Sequence, residues 1–275
     1  FLQDNSHTMD ALVRNKCEAE VLAIAYEAIS ELGLNISIDS EVFKEGGLRD
    51  VWKMMGENSA QLALLVSLTA IVLTLVPSKD AELVDLEKKH MQLSIEEKKL
   101  TIEKLKKELE EGSVSTESVN TAVRVIDGSY KVLTRKSNFY KNLSLYEKVT
   151  QLGVSSIDDN GRYISEETIV PRSQFSRFIL STHELKPVVD ENAVIEIVAP
   201  VLKEGRAKWK GIYNDSPISF SMNDKDFKQS VLMKRTRFTN GSGIRCVLNI
   251  NQKLNEVGEV VSAGYIVDIV LEKID

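Results

Sequence analysis

Cysteine is nearly absent: Cys17 and Cys246 are the two in a chain of 275 residues. They cannot make a disulfide framework, and their scarcity points to a reducing compartment. His7, His90 and His183 stand apart from one another and from both cysteines, so no metal-ligand spacing exists. Five prolines and 14 glycines argue against a long low-complexity linker. Basic residues show no excess: 35 Lys+Arg against 41 Asp+Glu leave a net charge of −6, with no global pull toward nucleic acid. Neither G-x-x-x-x-G-K-S/T nor G-x-G-x-x-G occurs, which excludes both common nucleotide cradles. A serine or cysteine nucleophile needs a nearby base, and no short spacing suggests such a pair. Asp158-Asp159 reads as turn chemistry, and Asp224 with Asp226 as a helix start where acids favour the macrodipole. No catalytic signature emerges. The expectation is a non-enzymatic protein without metal or cofactor.

What is present is an ordinary folded composition, 43% hydrophobic and 28% charged, long enough for two cores. Phe1-Leu2 runs at once into Gln3-Asp4-Asn5, so no signal peptide is expected. Residues 8–32 carry a helical period through Leu12, Val21, Ile24, Ala28 and Ile29, with Gly33 placed as a C-cap. Leu34 to Ile38 alternates as a short strand. A second helix is predicted from about residue 48, with Leu48, Val51, Trp52, Met54 and Met55 apolar. Residues 1–60 form the first predicted region.

Residues 61–111 form the second. Leu62 to Val76 is a 15-residue apolar run broken only by Ser67, Thr69 and Thr74. As a helix it rises ~22 Å, short of a ~30 Å hydrocarbon core unless uncharged flanks extend it. Two readings stand: insertion into a membrane, or a central helix of a protein core or subunit interface. Ala63, Ser67, Ala70 and Thr74 line one face with small residues, the arrangement that lets helix backbones approach closely. After Pro77, residues 81–111 read as a long charged amphipathic helix. Leu86, Leu93 and Leu100 are spaced by seven, and so are Ile95, Ile102 and Leu109. The two sets are offset and cannot share one seam. The first set and the small-residue line are the candidate oligomerisation residues.

Residues 112–187 are predicted helical, with helices at 116–134 and 137–152, a turn at 158–161 and a short helix after Pro171. From about 188 to 275 the hydrophobic period changes from 3.6 to 2. Strands are read at 193–202, 207–214, 217–222, 244–253 and 259–272, with a helix at 224–234. That β-β-β-α-β-β order matches the five-stranded OB barrel, whose helix lies between strands three and four. The fold class is therefore α+β, with a helical N-terminal two-thirds and a C-terminal OB-like barrel.

Basic residues gather on this module. Lys203, Arg206, Lys208 and Lys210 surround the first hairpin; Arg235, Arg237 and Arg245 follow the helix. Trp209, Tyr213 and Phe238 are interleaved with them. Phosphate neutralisation plus stacking is what single-strand nucleic-acid binding needs, but acidic residues balance the basic ones across the module. The competing readings are a protein or small-ligand surface, with the aromatics filling the barrel.

The stretch AKWKGIYNDSPISFSMNDKDFKQSVL, followed by NGSGIRCVLNI and EVGEVVSAGYIV, resembles a module of uncharacterised bacterial proteins. Trp209, Asp224, Phe227 and Gly241 carry the likeness. The N-terminal helix, short strand and apolar helix resemble membrane-associated pieces of prokaryotic immunity systems. The resemblance covers about a third of the chain and transfers no catalytic residue. The expectation from the residues is a self-associating protein assembled by the 62–76 and 81–111 helices, cytoplasmic or held on the inner membrane from the cytoplasmic side, whose barrel binds a protein partner or a signal; the resemblance implies a place in bacterial antiviral defence. A soluble single-strand nucleic-acid binder is the alternative.

Overall fold

A computed structural model describes residues 9–40, 52–75, 95–112, 114–155, 165–203, 205 and 207–275. The chain divides into two compact units: Phe1–Thr182 with Glu256–Glu259, and His183–Asn255 with Val260–Asp275.

The first unit is mainly helical. Helix α1 (Ala11–Leu32) starts where the Asp10 carboxylate accepts from the Leu12 and Val13 amides, and it ends on Gly33 in the left-handed region at φ 59°. A two-stranded antiparallel sheet follows, β1 (Ser37–Ser40) paired with β2 (Trp52–Met55). Trp52–Met55 is thus a strand and not the start of the expected helix. Five closely spaced apolar residues satisfy either period over so short a stretch, and the ladder to β1 decides it.

Helix α2 (Ser59–Thr74) begins later, at an Asn58 cap whose side chain accepts from the Ala60 and Gln61 amides. Leu64, Leu65, Leu68, Val72 and Leu73 are buried in the core of the first unit, beside Val21, Ile24 and Leu32 of α1. Sixteen residues rise about 24 Å. Among the described residues no helix is long and apolar enough to cross a membrane. Helix α3 (Ile95–Glu110) is the described part of the charged segment; residues 81–94 lie outside the described residues. Of the two heptad sets, Leu109 is buried and Ile102 packs on the core, whereas Leu100 is exposed. The offset turns Leu100 away from Ile102 and Leu109.

Helices α4 (Thr116–Asp127) and α5 (Tyr130–Leu145) replace the expected 116–134 and 137–152. Gly128 ends the first, and the Ser129 hydroxyl accepts from the Val132 amide to start the second. The apolar period runs on across this break, which hides it from pattern reading. Arg135 and Lys131 of α5 pair with Glu20 and Glu27 of α1 at 3.2 and 3.5 Å. Beyond α5 comes a two-stranded sheet, β3 (Gln151–Val154) with β4 (Thr168–Pro171), so the end of the expected helix is strand. The expected turn at 158–161 lies outside the described residues. A 3-10 helix, Arg172–Phe178, then lays Phe175 and Phe178 against Tyr140, with ring centroids 5.2 and 4.1 Å away.

The second unit is a closed five-stranded barrel of β5 (Glu184–Ala199), β6 (Trp209–Tyr213), β7 (Ser216–Met222), β8 (Gly243–Leu254) and β9 (Val260–Ile274), in the order β5-β6-β7-β9-β8. Neighbours run antiparallel except β7 and β9, which pair in parallel over Phe220–Met222 and Tyr265–Val267. Helix α6 (Lys225–Leu232) lies in sequence between the third and fourth strands. β5 starts nine residues earlier than the alternation suggests, because Glu184–Val189 offers charges and Pro187 in place of a clean period.

Candidate functional site

Alternation along the strands sends one residue in two into the barrel. Ala193, Ile195, Ile197, Ile218, Phe220, Met222, Ile244, Cys246, Leu248 and Val267 are buried together there. Burial pushes the Cys246 thiol up to about 12, with help from the Asp190 charge. Gly211 faces inward where no side chain fits: a Cβ there would lie 2.6 Å from the Glu196 carbonyl oxygen and from an Ile195 methyl.

One end of the barrel is closed by aromatics. Trp209 is 1% exposed, and its ring centroid lies 6.2 Å from Phe227 of α6 and 5.8 Å from Phe238. The Asp224 carboxylate fixes this plug. One oxygen caps α6 by accepting from the Phe227 amide, and the other accepts from the Val270 amide of β9, both at 2.9 Å.

The other end carries polar groups. The Tyr213 hydroxyl donates to Asp190 at 2.7 Å, and the Asn192 amide donates to the second oxygen at 3.0 Å. The hydrogen bond to Asp190, then burial and the carboxylate's charge, raise the Tyr213 pKa. Tyr265 stands edge-on to Tyr213 with centroids 6.4 Å apart. The alternation predicts a strand only from 193 and so leaves Asp190 out; the paired Val188-Val189 ahead of it is the available signal. On the outer face, Asn223 and Asn249 both donate to Asp268.

The expected basic residues fall outside the barrel wall. Lys203, Lys208 and Lys210 are exposed, as are Arg235 and Arg237. Arg206 lies outside the described residues. Arg245 is exposed and paired with Glu272 at 2.8 Å. The Trp209–Phe238 contact brings Lys208 and Lys210, which flank the first ring in sequence, to the same end as Arg237. Trp209 itself is core, so it offers no surface for a base to stack on.

In the first unit, Ala63 is exposed and Ser67, Ala70 and Thr74 are half-buried, beside the fully buried face of α2. The Thr74 hydroxyl is satisfied by donating to the Ala70 carbonyl oxygen at 2.8 Å. Leu86 and Leu93 lie outside the described residues. Among the described residues no group of His, Cys, Asp and Glu could hold a metal ion. No protein-family model matches the chain, and no curated protein or solved structure matches it.

Proposed function

We propose that the chain is a non-catalytic, self-associating binding protein, in which the helical unit assembles copies and the barrel engages a partner on its outer face. The supporting observation is the barrel's own construction. Its strand order, the parallel pairing of its third and fifth strands and the helix between the third and fourth support the OB-like reading, and an OB-like barrel binds through its second and third strands and adjoining loops. Here the deep interior is filled with side chains, so a macromolecular partner meets the wall and loops. That face presents Lys208 and Lys210 beside the Lys203 loop, none of them ion-paired among the described residues. The partner is therefore an acidic protein surface, held by exposed cations around a solid apolar core.

The nucleic-acid reading loses part of its support, because Trp209 is inside and Tyr213 and Phe238 are half-buried, so none of its three aromatics is fully exposed beside the lysines. Stacking is the sequence-tolerant part of single-strand affinity. Anisotropy titrations of the full chain with a labelled acidic peptide and a labelled single-stranded oligonucleotide, each across a salt series, separate the two. Binding of the peptide, lost in Lys208→Glu with Lys210→Glu, supports the first reading. Tighter salt-dependent binding of the oligonucleotide overturns it. Sedimentation velocity across a concentration series tests assembly, and a monomer throughout removes self-association. The place in antiviral defence rests on resemblance and is tested by phage plaque counts with and without expression of the chain.

A further inference from the structure

We propose that the end of the barrel opposite α6 binds an ammonium-type cation, a primary or methylated amine, between the Asp190 carboxylate and the rings of Tyr213 and Tyr265. This goes beyond the basic outer face: it is a separate place with the opposite charge.

Register puts the three side chains on the inner surface. Asp190 pairs with Leu248, and Tyr265 with Phe220 and Ile250; Leu248 and Phe220 are fully buried inside the barrel. Tyr213 continues the inward row of Trp209 and Gly211 along β6. Residues deeper in the barrel are sealed, but Asp190, Tyr213, Tyr265 and Ile250 all remain partly exposed. A ligand thus reaches them from the open end, and the packing of Ile195 and Phe220 around Gly211 stops it from going further.

The chemistry selects a cation. An inward-turned carboxylate on a largely apolar surface requires compensation. Asp190 has one donor on each oxygen, both neutral, and among the described residues no Lys or Arg is paired with it. Each oxygen keeps a further lone-pair site. Its charge is felt as deep as the Cys246 thiol. Beside it stand two tyrosine rings, edge to face at 63°, and aromatic surface of this kind attracts ammonium groups and not anions. The competing account is that the Asp190–Tyr213 bond merely pins β5 to β6 beyond the end of their ladder at Glu196–Ile212. That account calls for no ligand.

The test uses the full chain with labelled isoleucine methyl groups, where Ile250 reports on the open end and Ile244 on the sealed interior. Tetramethylammonium and butylammonium should shift Ile250 saturably and leave Ile244 in place. Choline should behave as these cations do, and its neutral isostere 3,3-dimethylbutanol should bind at least about tenfold more weakly than choline, the range that loss of the charge term gives. Asp190→Asn keeps an acceptor for Tyr213 and should weaken the cations by about tenfold, as should Tyr265→Leu. Tyr213→Phe keeps the ring and should stay within about threefold of the parent. A peptide carrying lysine or trimethyllysine that binds more tightly than the free amines identifies a protein side chain as the source, and equal binding identifies a small amine. The absence of any saturable shift, or equal binding of cation and neutral isostere by the unmodified chain, overturns the proposal without reliance on any variant.

Discussion

The Tyr140 hydroxyl donates to the carbonyl oxygen of Leu73 at 2.6 Å, inside the core of the first unit. Leu73 sits in the last turn of α2, where carbonyls lack an intrahelical donor. One turn earlier on α5, the Lys136 ammonium reaches the Leu75 carbonyl oxygen at 3.5 Å. Two side chains of one helix therefore close the end of another. Tyr140→Phe keeps the stacking on Phe178 and removes only the hydroxyl, leaving a buried carbonyl oxygen unpaired. The expected cost is about 1–3 kcal/mol. Urea denaturation followed by helical circular dichroism measures it; an unchanged midpoint would mean that water replaces the hydroxyl.

Lys136 is itself 2% exposed, and burial lowers its pKa from the ordinary 10.5, against a smaller opposing pull from Asp127. The unfolded chain therefore binds the proton more tightly than the folded one. Stability should rise with pH from the lowered folded value up to 10.5. Lys136→Met removes the buried charge while keeping a long flexible stem, so it should be neutral or stabilising at pH 7 and should flatten that rise. Melting temperatures of both proteins between neutral pH and about pH 9.5 test this, stopping short of tyrosine titration in the unfolded chain. A steeper pH dependence in the Met variant would contradict the assignment.

Arg172 closes α5 in the same manner, donating to the carbonyl oxygens of Ser144, Tyr146 and Val149 at 2.7, 2.9 and 3.0 Å. A planar fork of donors is needed to serve all three. Arg172→Lys should therefore lose most of what Arg172→Ala loses, about 1–3 kcal/mol. Amide exchange at the end of α5 is the readout. Protection retained in the Lys variant would show that charge near the helix end, and not the fork, is what counts.

Legibility followed the strength of the local period. The strands β6 to β9 alternate cleanly, as in Ile218-Ser219-Phe220-Ser221-Met222, and lie within a few residues of their expected positions, whereas β5 begins nine residues before its expected start. The turn at Gly128-Ser129 could not, because Ile126, Tyr130 and Leu133 keep a helical spacing across it and only the Ser129 cap marks the break. Trp52–Met55 failed for a related reason: four residues are too few to separate a period of 2 from 3.6. The basic residues of the barrel were legible as exposed. The direction of Trp209 was not, since an aromatic between two lysines fits a stacking surface and a plugged barrel equally well until strand partners are known. Asp190 was invisible as a site residue because its inward direction depends on its pairing with Leu248.

Gly211 gives a direct test of barrel packing. With a Cβ 2.6 Å from backbone and 3.3 Å from the Phe220 ring, Gly211→Ala forces β5 away from β6. Overpacking of this kind costs ~1–3 kcal/mol. Amide exchange across β6 and β7 should quicken while α1 and α2 stay protected. Slowed exchange in β6 would mean that the barrel has slack at its centre.

Self-association through α2 has its own test. Ala63, Ser67, Ala70 and Thr74 flank the buried face of that helix without joining it. If copies meet there, their backbones come close, and a large side chain on the line separates them. Ala70→Phe should shift the protein to smaller assemblies, and in a symmetric assembly the cost repeats in every subunit. Ala70 is half-buried, so the substitution also presses on the chain's own core. Ala63→Phe answers that objection: the residue is exposed, and the new ring meets solvent in a lone copy. It should leave the melting temperature of dilute protein unchanged and still reduce assembly size. Ile71→Leu conserves volume on the neighbouring line and should alter neither. Sedimentation velocity reads the size and circular dichroism the stability. If Ala63→Phe and Ala70→Phe both assemble as the parent does, the line of small residues is not the contact, and the outward Leu100 face of α3 becomes the next surface to substitute.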